Sequence, residues 1–231
     1  MDPTNGFYLV ESDTSVKSLS SEHSSKTEYN IDNIYAKTIS MNEFMRGTNL
    51  CRCVYPLGHL ALGYLAVVAL ARVRDWEFRY PHGLTLALLA VGTQLPDLID
   101  KPLAYAGVLP NGRSLAHSLL ILTPVVFLGG RYLTHKGYGT EARVLAVAIG
   151  SHIVGDSYLL VFRQEWRELG FLLWPVVPGL QYPGDNVAPW VRILNAGFDS
   201  PQLQFQYLLF AGAVAIWLVS VYRRRQRRAA T

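Results

Sequence analysis

"VLAVAIGSHIVGDSYLLVF", residues 144–162, is an apolar run broken by one imidazole and one carboxylate, His152 and Asp156. The run is too long for an average strand and does not alternate, so it reads as a helix. Four more runs share its character: 57–73 ("LGHLALGYLAVVALARV"), 83–96 ("GLTLALLAVGTQLP"), 115–130 ("LAHSLLILTPVVFLGG") and 207–222 ("YLLFAGAVAIWLVSVY"). None has a clean one-sided polar stripe, as expected of helices surrounded by lipid or by other helices. A membrane span needs about 20 apolar residues, with a lower bound near 17. The runs at 83–96 and 115–130 reach that length only by borrowing polar flanks.

The expected fold is therefore all-α: a polytopic membrane bundle of about four to five transmembrane helices over residues 54–222. A disordered polar tail, 1–53, precedes it, and a basic tail, 223–231, follows. Composition agrees. Half of the 231 residues are apolar and only 16% are charged, against about 25% in ordinary soluble chains. The mean hydropathy is only +0.17, because the first fifty residues are rich in Ser, Thr, Asn and acids. That tail has no helical or strand period and no signal-peptide pattern. Cys51 and Cys53, in "CRC", are too close for a usual disulfide and alone make a weak zinc site, so they are read as an incidental pair.

The net charge of +4 is read as topology. The C-terminal "RRRQRR" places residues 223–228 in the cytoplasm. Five spans then put two further basic connections on the same side, one with Arg72, Arg74 and Arg79, the other with Arg131, Lys136 and Arg143. Specific nucleic-acid binding by these arginines is not expected. Contact with anionic membrane lipid is the commoner use of such a run.

On this map the unusual polar groups collect at the outer face. His59 opens the first helix. Asp97 and Asp100 close the second, where Pro96 is expected to stop it. Arg113 and His117 open the third, with Ser114 placed to cap it. His152 and Asp156 share one face of the fourth, four residues apart. Acids inside apolar helices are costly and mark function by default. Imidazole and carboxylate ligands suit zinc, manganese or iron, and the number of candidates admits one metal or two. Arg113 is suited to hold an anion such as phosphate. His23, His82 and His135 lie elsewhere and receive no role.

The ordered series "GH" at His59, "LPDLID" at Asp97, "RSLAHSLL" at 113–120 and "SHIVGD" at 151–156 resembles the YdjM-like family. This is a prokaryotic group of LexA-binding, inner membrane-associated, predicted metal-dependent hydrolases. "LLWP" at 172–175 also looks like that family, and the resemblance covers about residues 55–180. It implies a helical membrane domain and a divalent metal, plausibly zinc, with a motif order similar to zinc-dependent phospholipase C. Carried over, the ligands are His59, Asp97, His117, His152 and Asp156. Many members read LPDxD, whereas here the second acid comes one residue later. Asp100 is accordingly ranked below Asp97, either behind the ligands or as a water-activating base.

The expected function is a membrane-bound metal-dependent hydrolase acting near the outer face on a phosphoester or similar bond, in a small molecule or a lipid. The alternative is a non-enzymatic membrane protein: a metal or proton transporter, or an interaction scaffold. The connection at 163–206, with Trp166, Trp174 and Trp190, is either an interfacial lid over the site or a plain loop.

Overall fold

A computed structural model describes residues 54–180, Val191 and 201–229. The tail 1–53, its two cysteines and Trp190 lie outside the described residues. Among these there are five α-helices, one 3-10 helix and no strand. The α-helices are α1 (Pro56–Val73), α2 (Leu84–Tyr105), α3 (Leu119–His135), α4 (Gly139–Phe162) and α5 (Pro201–Ala229), with the 3-10 helix at Trp166–Leu173.

Helices α1, α4 and α5 are long and apolar enough to cross a membrane, and α3 is a shorter apolar helix of 17 residues. Helix α2 has 22 residues but carries Asp97, Asp100 and Lys101 in its second half. The all-α membrane bundle expected above is thus what the chain forms.

Helix α4 is central and packs on α1, α2, α3 and the 3-10 helix, while α5 packs on α1. The apolar core is built from Ala61, Tyr64, Val67 and Val68 of α1, Leu89 of α2, Val144 of α4 and Ala213 of α5. Crossing of α2 over α4 depends on a missing side chain. A Cβ on Gly92 would lie 2.9 Å from the Ala148 Cβ and 3.0 Å from Leu145 Cδ1. Small residues let two backbones approach in this way. The contact sits about one turn before Asp97 and one turn before His152, so it delivers both to the same place.

At the opposite end the basic segments meet. Arg224 donates to the Tyr80 carbonyl at 2.7 Å, and Arg72 donates to the Tyr80 hydroxyl at 2.7 Å. The Arg143 guanidinium lies over the Trp76 ring, 5.3 Å from its centroid, within reach of a cation–π contact; the arginines of three separate segments thus share one end.

Two local expectations are corrected. Pro96 does not stop α2, which continues through Pro96 and Pro102 to Tyr105. A proline forfeits one ladder bond. In apolar surroundings, however, leaving the helix would strand many more backbone groups without partners. Ser114 does not cap α3, which begins at Leu119 with Ser118 at its N-cap position. The reason is Asp100, which accepts the backbone N–H groups of Ser114 and Ala116 at 2.8 and 2.9 Å. Residues 113–117 are thereby wrapped around a buried carboxylate instead of winding into a helix.

Candidate metal centre

Four side chains from three segments converge beside the α2–α4 crossing: Asp97 of α2, His117 of the turn before α3, and His152 and Asp156 of α4. One ligand atom from each lies within 4.8 Å of all the others. The Nε2 atoms of His117 and His152 are 3.1 Å apart. Asp97 Oδ1 is 3.6 Å from His117 Nε2 and 3.7 Å from His152 Nε2. Asp156 Oδ2 is 3.5 Å from the first and 4.0 Å from the second. Zinc bonds of about 2.0–2.1 Å in tetrahedral directions require ligand atoms roughly 3.3–3.4 Å apart.

The tautomers follow from the other ring nitrogens. His117 Nδ1 lies 2.8 Å from Asp100 Oδ2, and His152 Nδ1 lies 2.7 Å from the Thr93 carbonyl. Both acceptors take a proton from Nδ1, so that in the neutral rings each Nε2 is the atom with a lone pair. Two such lone pairs at 3.1 Å repel unless a cation lies between them. A proton would satisfy that pair alone and leave Asp97 Oδ1, which is buried and has no hydrogen-bond partner. A metal ion satisfies all four atoms. The donor set, two imidazoles and two carboxylates, is that of zinc, manganese or iron.

Around this cluster stands a second layer. Lys101 pairs with the other Asp97 oxygen, Oδ2. Arg113 Nε lies 3.1 Å from Asp156 Oδ2, so Asp156 is the cluster member shared with a fixed positive charge. Asp100 is fully buried, and both of its oxygens are occupied by the amides of Ser114 and Ala116 and by His117.

His59, the fifth ligand implied by the resemblance, comes alongside but is not one of the four mutually close groups. Its ring stacks on His152 with centroids 3.8 Å apart, and its Nε2 is 3.4 Å from Asp156 Oδ1. Gly155 makes room for it: a Cβ there would stand 3.2 Å from His59 Nδ1.

Segment 163–180 closes over the cluster. Phe171, only 2% exposed, sets its ring edge toward His117 at 6.1 Å and lies under the Arg113 guanidinium at 5.6 Å. Ser118 donates to the Trp174 carbonyl, and Asn111 Nδ2 donates to the Leu180 carbonyl at 2.7 Å. Asn111 also accepts the Arg113 N–H and the Ser114 hydroxyl through Oδ1. Asn111, Ser118, Thr93 and Phe171 were not singled out from the sequence. Only Asn111 had a signal there, in the turn dipeptide Asn-Gly; the other three act through folded contacts.

His117 lies in the connection between α2 and α3. Burial works against its protonation, but the carboxylates of Asp100, Asp156 and Asp97 outweigh burial and push the ring up to about 10.

No curated protein and no solved structure matches this chain. A family model, the YdjM inner membrane protein, matches residues 55–227, which extends the likeness beyond residue 180 and through most of α5. The chain therefore belongs to the YdjM inner membrane protein family.

Proposed function

We propose that this protein is a membrane-embedded, metal-dependent hydrolase of phosphoester or similar bonds, with its site at the end of the bundle remote from Arg72, Arg143 and Arg224. The observation that carries the reading is the pair of facing Nε2 atoms, 3.1 Å apart, flanked by a carboxylate oxygen that lacks a hydrogen bond. Asp97, His117 and His152 would hold the ion. When bound, such an ion supplies Lewis acidity and a water of lowered pKa. Asp156 has a competing partner in Arg113 and is the ligand best able to yield its position, as a catalytic site requires. Arg113, once released from Asp156, presents a guanidinium to an anionic group of the substrate. Asp100 positions His117; with both oxygens occupied it has little capacity left to take a proton from water. His59 Nε2 stands 3.4 Å from the second oxygen of Asp156. By the positive-inside rule the C-terminus is cytoplasmic and the site faces outward.

The burial of the cluster favours a second reading, a sealed metal that holds α2, α4 and the 113–117 turn together in a non-enzymatic scaffold. One experiment separates the two. Wild type, D97N and H117A are purified without chelator, analysed for metal, and assayed on phosphodiester and phospholipid substrates. Stoichiometric metal with hydrolysis, both lost in H117A, supports the hydrolase. Metal without turnover supports the scaffold, and no metal overturns both.

A further inference from the structure

We infer that the groove between α3 and α4, at the arginine-rich end of the bundle, is a binding site for one anionic phospholipid. It is independent of the metal cluster. Among the described residues, helix α3 has no buried residue and packs chiefly on α4 and the 3-10 helix. Toward the short connection before Gly139, the two helices border an open groove of about 580 Å³.

The walls of that groove are graded. Arg131, His135 and Arg143 line its polar end, and Val126, Phe127 and Ala146 line its apolar end. Val126 and His135 are nine residues apart, about 13 Å along the axis at 1.5 Å per residue. This is the order and scale of a phosphate, a glycerol and the first part of an acyl chain. Among the described residues none that line the groove is acidic. Arg143 is held at the rim by its own helix, donating to the Gly139 carbonyl and the Thr140 hydroxyl at 3.2 Å each.

Gly130 lines the groove, and the space beside it is open. A Cβ on Gly130 would meet nothing within 4 Å. Beside the groove Val125 and Leu128 are each more than 60% exposed, so the surface around it is apolar.

The chemistry selects the occupant. Two guanidiniums suit a phosphodiester, and basic pockets between membrane helices are known seats for anionic headgroups. A free phosphate would leave the Val126 and Phe127 end uncovered, whereas a membrane lipid fills both ends.

The test uses the full chain, delipidated in neutral detergent and then offered phosphatidylglycerol or phosphatidylcholine, with bound lipid counted by native mass spectrometry. Wild type should retain one phosphatidylglycerol in preference to phosphatidylcholine. R131Q/R143Q should weaken that retention by about tenfold or more, given the contribution expected of each surface arginine. G130L should weaken it similarly by filling the groove with every charge in place. The control R225Q/R227Q removes two arginines elsewhere and should change little. Equal retention of the two lipids overturns the proposal, as does an equal loss in the control, unaffected binding by G130L, or displacement by millimolar inorganic phosphate. Should the double arginine variant fail to fold, G130L alone decides.

Discussion

Asp100 grips His117 by Nδ1 at 2.8 Å, and the same carboxylate gathers the amides of Ser114 and Ala116. One buried acid thus fixes the tautomer of a candidate ligand and the shape of the turn that carries it. Replacing Asp100 by Asn keeps the size but exchanges an acceptor for a donor that faces N–H groups. D100N should still bind metal, with affinity reduced roughly 10–100-fold, the usual cost of losing the partner behind a ligating histidine. Competition with a calibrated chelator measures this. Unchanged affinity would remove Asp100 from the site.

Removing a ligand is a harsher change. H117A and H152A each delete one of the two facing Nε2 atoms, and D97N weakens the third ligand. Stoichiometric metal should be lost in both histidine variants. Chelation should lower the melting temperature of wild type by several degrees, because an ion bound only by the folded state stabilises it. In H117A the melting temperature should not respond to chelator. A wild-type protein indifferent to chelator, with no metal by elemental analysis, would count against any metal at this cluster.

Much of this was legible in the sequence, for definite reasons. His152 and Asp156 stand one turn apart inside an apolar run, and their cost there made them conspicuous. The positive-inside rule then placed His59, Asp97 and His117 at the same end without knowledge of the packing. Pro96 misled because its local meaning, helix termination, yields to the need of a buried backbone to stay bonded. Ser114 misled because its amide is captured by Asp100, 14 residues earlier, and such a contact leaves no periodic trace. Thr93 was invisible for a further reason: it acts through its carbonyl, which any residue possesses.

The pH dependence of metal binding follows from His117. Without metal its ring is pushed up to about 10 by the surrounding carboxylates. At neutral pH the ring therefore carries a proton that must leave before Nε2 can act as a ligand. The proton is held below about pH 10 and lost above it, so metal affinity should rise with pH. The expected slope is about one log unit per pH unit between pH 6 and 9. Titration calorimetry in buffers of different ionisation enthalpy should record release of about one proton per metal. A pH-independent affinity with no proton release would mean that His117 is not a ligand.

Phe171 covers one side of the cluster. It meets His117 edge-on and supports the Arg113 guanidinium, and it is carried by a 3-10 helix whose neighbours Trp166 and Leu173 are exposed. F171A removes this cover and leaves a cavity, a loss of about 3 kcal/mol or more for a buried phenylalanine. F171L keeps most of the volume and should cost less than about 1.5 kcal/mol. Release of metal to excess chelator, followed in time, should be fastest in F171A and close to wild type in F171L. If the segment over the site instead plays no part in access, all three proteins will release metal at one rate. If it is also the gate for substrate, hydrolysis by F171A should lose selectivity between large and small phosphoesters while F171L retains it.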